Sequence, residues 1–298
     1  MFQISIQSSI VQEITFSSLN EYSTKLFIKR DDLIHEFVSG NKWRKLKYAI
    51  EHCHTYNFNG LVTFGGAYSN HILACAAACY LYNLKSRAYI RGDELTSSSN
   101  ALLAKCKELG MELLFISRNA YDAMKRDNSM VEIEGLRYLS IPEGGATRVG
   151  IMGCMEILPD TDNNFDVVAL AQGTTTTSLG VLFSSPPNTN VFVFPVLKGF
   201  QSMAAMQEIS ESAEFLTDWE NHQHKVQVLD DFHFGGYAKS TPELLSFISE
   251  FEHQTGIPLN PTYTGKALFG LIKTIEDKKM MNKRILFIHT GGVHKLLK

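Results

Sequence analysis

Lys42 stands where an amine could do chemistry. It follows the turn Ser39-Gly40-Asn41 and opens the basic run Lys42-Trp43-Arg44-Lys45-Leu46-Lys47, with Lys29-Arg30-Asp31-Asp32 a short way upstream. A lysine at a cleft edge, desolvated or beside another cation, loses affinity for its proton and becomes a usable nucleophile. The same run also reads as a solvated basic helix face, because strings of Lys and Arg are most often simply wet.

Two further segments are built to hold an anion. Leu61-Val62-Thr63-Phe64, then Gly65-Gly66-Ala67-Tyr68-Ser69-Asn70-His71, reads as a strand, a glycine turn and a helix start, where unpaired N–H groups and the positive end of the helix dipole gather. Ser69 and Asn70 suit a carboxylate or phosphate there, and suit plain N-capping equally well. His71 by itself reads as structural. After the apolar run Val167 to Leu170 comes Ala171-Gln172-Gly173-Thr174-Thr175-Thr176-Thr177, in which a glycine precedes four hydroxyls at a helix start. Phosphate is the natural guest of such a cup, although the segment is neither GxxxxGK[ST] nor GxGxxG. Ile141-Pro142-Glu143-Gly144-Gly145, Gly235-Gly236-Tyr237, Pro261-Thr262-Tyr263-Thr264-Gly265-Lys266 and His289-Thr290-Gly291-Gly292 each set Gly beside a polar or aromatic group. A metal site is disfavoured: His52, Cys53 and His54 diverge around a helix, and Cys75 and Cys79 lie among alanines that suit close helix packing.

The elements that must position these groups alternate. Short apolar runs at Leu61–Phe64, Arg87–Ile90, Glu112–Ile116, Asp166–Ala171, Val191–Val196, Val226–Leu229 and Ile285–Ile288 are separated by helix-like stretches such as the Thr241-Pro242-Glu243 start running to about Gln254. Continuously apolar strands are those buried on both faces of a covered parallel sheet, so the class is α/β. Seams near Lys45 and Gly150 would enclose a smaller block with three strand candidates.

Composition narrows the partners. Against 28 Lys+Arg stand 31 Asp+Glu, a net −3 that provides no positive field for nucleic acid. Five scattered cysteines suit a reducing cytoplasm rather than a disulfide framework. Neither a basic leader with an apolar core nor an apolar window of about 20 residues is present, which points away from secretion and membranes.

Taken in order, these segments resemble the pyridoxal-phosphate family that contains D-cysteine desulfhydrase and 1-aminocyclopropane-1-carboxylate (ACC) deaminase. The resemblance rests on KRDD, SGNKWRKL, GGAYSNH, IPEGGAT, the Gly-Thr loop, GYAKSTPE, NPTYTGKA and HTGG, and runs from about Lys29 to Gly292. It implies the tryptophan-synthase-β-like fold (fold type II), a three-layer α/β sandwich with two parallel-sheet domains and the cofactor, pyridoxal 5′-phosphate, between them. Residues 1–44 plus 151–298 would form the larger domain and 45–150 the smaller, in a chain that commonly forms a homodimer. Lys42 would be the Schiff-base lysine, Asn70 would sit near the cofactor's phenolic oxygen, and Ser69 and His71 would lie on the substrate side. Gly173, Thr174, Thr175, Thr176 and Thr177 would hold the phosphate without help from a lysine. Thr290 would face the pyridine nitrogen, and Tyr237 and Tyr263 the substrate, a small amino acid.

Two departures carry meaning. Relatives usually have more glycine in the phosphate loop, and a positive φ at Thr175 or Thr176 would strain a β-branched residue. ACC deaminases typically have Glu after the second tyrosine, whereas Thr264 stands here, as in desulfhydrase-like members. The resemblance therefore implies β-elimination from D-cysteine to pyruvate, ammonia and hydrogen sulfide. ACC ring opening to 2-oxobutanoate and ammonia is the nearest alternative, and a non-catalytic pyridoxal-phosphate-binding protein a further one.

Overall fold

The apolar runs become strands because each supplies side chains to both faces of a covered sheet. The computed structural model describes residues 4–38, 40–124, 130–158 and 164–293; Ser39 of the turn before Lys42 lies outside the described residues. In chain order the strands are β1 (Val11–Ile14), β2 (Lys25–Lys29), β3 (Gly60–Gly65), β4 (Lys85–Arg91), β5 (Glu112–Ile116), β6 (Met130–Ile133), β7 (Leu136–Ile141), β8 (Val167–Gln172), β9 (Asn190–Pro195), β10 (Val226–Val228) and β11 (Arg284–Ile288). The helices are α1 (Asn41–Thr55), α2 (Asn70–Leu81), α3 (Ala101–Glu108), α4 (Arg118–Met124), α5 (Arg148–Met155), α6 (Thr176–Ser184), α7 (Ser202–Ser212), α8 (Leu216–His222), α9 (Pro242–Thr255) and α10 (Thr264–Asp277). Among the described residues no helix is long and apolar enough to cross a membrane.

Two sheets result, ordered β1-β2-β11-β8-β9-β10 and β5-β4-β3-β7-β6. Pairing is parallel throughout except at the outer β1/β2 and β6/β7 pairs. The α/β class with two parallel cores thus holds, and each sheet gains one antiparallel edge strand. β3 and β8 are buried at every position, as their unbroken apolar character requires. The strands that escaped the sequence reading are β1, β2, β6 and β7. Lysines at both ends disguise β2, and β6 and β7 form a hairpin with charged Glu132 and Arg137 opposite each other. The turn between them, Glu134-Gly135, has φ of 54° and 74°, the left-handed pair that a tight hairpin demands. The block between Lys45 and Gly150 therefore carries five strands rather than three.

Register decides where the site must be. Ile288 of β11 pairs with Lys29 of β2 and with Leu170 of β8, so these three strands end level. In the other sheet Gly65 pairs with Ile90 and Thr63 with Ile141, which levels the ends of β3, β4 and β7. Five of the six loops at these carboxyl ends, all but that after β4, carry segments singled out above, the usual place for a ligand in an α/β sheet.

The chain crosses between the sheets on α1 and returns on α5, and the expected seams near Lys45 and Gly150 fall inside these two helices. The helices touch backbone to backbone: a Cβ on Gly153 of α5 would lie 1.9 Å from the Arg44 carbonyl oxygen of α1. Arg44 in turn is fully buried and forks onto Asp31, just after β2, through Nε at 3.2 Å and Nη2 at 3.0 Å. Ser9 donates its hydroxyl to the same carboxylate. Arg44→Met strands the Asp31 carboxylate in a dry interior and is expected to cost about 3–5 kcal/mol. Urea unfolding reads this as a lower midpoint; an unchanged midpoint would show that the pair does not anchor α1.

Candidate active site

Lys42 is the second residue of α1, which begins hard against the end of β11. Gly40 holds φ +61°, and a Cβ there would meet the Thr290 carbonyl oxygen at 2.0 Å, so only glycine lets the helix start this close to the sheet. Lys42 consequently lines a cavity of about 790 Å³ between the strand ends of the two sheets. Its Nζ donates to Asn41 Oδ1 at 3.1 Å, and Asn41 Nδ2 donates to Thr177 Oγ1 at 2.8 Å, which links the lysine to the threonine loop. Burial, then the charge of Lys45, brings the Lys42 amine down to about 7.

Lys45 was not anticipated as a site residue. One turn after Lys42, it is buried, and its Nζ donates to the Gly144 carbonyl at 2.8 Å and to Thr174 Oγ1 at 3.2 Å. The expectation that the threonine loop stands without a lysine is therefore corrected. The signal was the i, i+3 spacing of Lys42 and Lys45, which stacks both amines on one helix face. Burial also lowers Lys45, to about 8. Among the described residues neither amine has a carboxylate at ion-pair distance.

The threonine loop meets this pair of cations. Gly173, Thr174, Thr175 and Thr177 line the cavity, and Thr175 has φ −78° with no positive φ from Thr174 to Thr177, so the loop geometry does not call for glycine there. Thr176 stands back from the wall, buried, with its hydroxyl unsatisfied. No side chain caps α6, which leaves its first N–H groups to a ligand. Two uncompensated amines, Lys45 buried and Lys42 half-buried, beside a helix N-terminus and a ring of hydroxyls suit a multiply charged anion such as phosphate.

Ser69 both caps α2, its Oγ accepting from the Ile72 N–H, and lines the cavity with Asn70 and His71. Thr63 gives its hydroxyl hydrogen to the Ile141 carbonyl at 2.8 Å, so His71 Nε2, 2.9 Å from Thr63 Oγ1, must carry the hydrogen between them. Burial first, then Lys42 and Lys45, holds His71 well below its usual range, hence neutral. Thr290, Tyr237 and Tyr263 complete the wall. The two tyrosine rings meet edge to face at 6.0 Å, and burial, then Tyr237, raises the Tyr263 hydroxyl well above its usual range. Thr264 does not join them: it is fully buried and its Oγ1 accepts the Asn260 N–H at 2.8 Å, closing its own turn. Glu143 and Arg91 are in the wall although sequence reasoning gave them no role.

Lys266 holds the tyrosines in register. From α10 its buried Nζ donates to the carbonyls of His233 at 2.8 Å and Gly236 at 2.7 Å, fastening the loop that carries Tyr237 to the helix that follows Tyr263. Lys266→Met is expected to speed amide hydrogen exchange over residues 233–239 and to leave the distal turns of α10 near wild type. Unchanged exchange in that loop would show that the lysine does not hold it.

The family described as pyridoxal-phosphate dependent enzyme matches residues 10–291. The chain is 32% identical over 289 residues to a Pyrococcus horikoshii protein with the provisional name 1-aminocyclopropane-1-carboxylate deaminase, covering 92% of this chain and 86% of that protein. It is 29% identical over 310 residues to the bifunctional D-cysteine desulfhydrase/1-aminocyclopropane-1-carboxylate deaminase, mitochondrial, of Arabidopsis thaliana, covering 91% of this chain and 73% of that one. In three dimensions it resembles an ACC deaminase homologue with a TM-score of 0.78 at 24% identity, over 96% of this chain and 90% of the other. With its amines, hydroxyls and open helix end converging on one cavity, the chain belongs to the pyridoxal-phosphate dependent enzyme family and uses that cofactor.

Proposed function

We propose that this enzyme is a lyase that eliminates the β-substituent of a small D-amino acid, D-cysteine first among them. The observation that carries the reading is the cavity's charge pattern, in which Lys42 and Lys45 stand uncompensated beside the threonine loop while Thr264 is turned away to accept the Asn260 N–H. Thr174, Thr175, Thr177, the open amides of α6 and Lys45 would hold the phosphate of pyridoxal phosphate, with Lys42 as its covalent anchor. Asn70 and Thr290 would flank its ring, and Ser69, His71, Tyr237 and Tyr263 would face the substrate.

When bound, the cofactor supplies an electron sink for charge developing at the substrate Cα. Lys42 then acts as the base. An amine poised near 7 is unprotonated in a large share of molecules at neutral pH, so its Nζ can accept the Cα proton and return it. Tyr263, held protonated by burial, is a donor rather than an anion, and a neutral His71 adds no charge against the substrate amine. Thr290 would present a neutral hydroxyl, in place of a carboxylate, to the cofactor's ring, which suits elimination. Thiolate leaves without acid assistance, and with one water the products are pyruvate, ammonia and hydrogen sulfide. Cyclopropane opening needs an added base or nucleophile aimed at the ring, and the position after Tyr263 does not deliver one to the cavity. Names of relatives include both activities, so assay decides between them.

Borohydride reduction of the purified protein is expected to fix the cofactor on residue 42, and Lys42→Ala to abolish the visible band; an adduct on Lys45 or Lys266 would overturn the assignment. With one preparation, kcat/KM for D-cysteine and β-chloro-D-alanine is expected to exceed that for L-cysteine, D-serine and ACC. Efficient ACC turnover with little pyruvate from D-cysteine reverses the reading. Absence of turnover of every compound favours a cofactor-binding protein without catalysis.

A further inference from the structure

A second groove, of about 490 Å³, shares Gly66, Ala67 and Arg91 with the wall of the cavity and is otherwise lined by Glu94, Leu95, Arg118 and Asp122. Most of the charge there is accounted for: Arg118 pairs with Glu94 at 2.8 Å, and Asp122 has a partner of its own.

Arg91 is the exception. It ends β4, one strand spacing (about 4.8 Å) outward from the β3 end that leads to Ser69 and Asn70. Its guanidinium carbon lies 5.5 Å from the centroid of the fully buried Tyr121 ring, which steadies the planar group. Among the described residues no carboxylate comes within ion-pair distance of it, although Glu143 and Glu208 line the same cavity. Burial first raises the hydroxyls of Tyr263 and Tyr121, and the charge of nearby Glu143 adds to both. An arginine kept free of acids that share its cavity, with its plane set by a ring, is poised to accept a carboxylate through both arms of its fork.

We infer that Arg91 binds an anionic group at the far end of the substrate's side chain, so that the enzyme takes β-substituted amino acids whose leaving group carries a carboxylate. This rests on the cavity being the amino-acid site. A substrate as short as cysteine ends at its sulfur, whereas a carboxymethyl thioether extends by one methylene to a carboxylate. The chemistry balances as before: the Cβ–S bond breaks, the thiol leaves with a proton, and water releases pyruvate and ammonia.

The holoenzyme and its Arg91→Gln and Arg91→Lys variants are compared on S-carboxymethyl-D-cysteine and S-methyl-D-cysteine, by calorimetric affinity and by pyruvate release. The wild type is expected to favour the carboxymethyl compound in Kd and KM by about tenfold, the yield of one charge-assisted fork at a partly wet site. Arg91→Gln brings the ratio near one, and Arg91→Lys retains part of it. A wild-type ratio near one, or a ratio that survives Arg91→Gln, overturns the inference. The two readings fail separately: turnover of both compounds with no Arg91-dependent ratio removes the anion subsite and leaves the lyase, and Arg91-dependent affinity without pyruvate does the reverse.

Discussion

The buried fork between Arg44 and Asp31 is the constraint on which the site depends. Asp31 follows strand β2, and Arg44 lies two residues beyond Lys42 on the helix that bridges the sheets. With both charges fully desolvated, the pair tolerates little displacement, because a lost hydrogen bond there leaves a bare ion in a low-dielectric interior. That rigidity fixes the rotation of α1. The rotation in turn decides that Lys42 and Lys45 face the threonine loop, while Trp43 and Leu46 pack into the core around α2.

Orientation explains the electrostatics. Ordinary interiors pair their buried cations, and the protein does so at Arg44 and Arg30 with the two aspartates that follow β2. At Lys42 and Lys45 it offers, among the described residues, only neutral oxygens from Asn41, Gly144 and Thr174. Desolvation with no opposing charge lowers both amines, which serves a base at one position and leaves a charge deficit for an anion at the other. The same arrangement keeps His71 neutral, so a residue at the start of α2 contributes shape and one hydrogen bond rather than charge.

The opposite wall is held by another buried amine, Lys266. Among the described residues it lacks an ion partner as well, yet its two carbonyl acceptors make it a clamp instead of a reagent. Chemically similar lysines thus differ in role according to whether their remaining space is backbone or cavity. Tyr237 reaches across the mouth to the Tyr68 carbonyl at 3.5 Å, so the clamp also sets how far the mouth stands open beside the groove of Arg91.

Much of this was legible from the chain alone, and for local reasons. Seven apolar runs announced β3, β4, β5, β8, β9, β10 and β11, since a strand covered on both faces has no alternative composition, and Thr241-Pro242 announced α9 because capping acts within one turn. Lys42, Ser69, Asn70, Thr177, Tyr237, Tyr263 and Thr290 reach one cavity, and each sits beside a glycine turn or a helix start. What the sequence did not decide is where side chains point after packing. Thr176 and Thr264 look like their neighbours on paper, but helix rotation turns them away from the cavity. Lys45 and Arg91 look like ordinary surface cations, and only the approach of β7's loop to α1 and of Tyr121 to β4 gives them their surroundings. Such facts depend on contacts between residues far apart in the chain, to which periodicity and capping are blind; they are set by the tertiary structure.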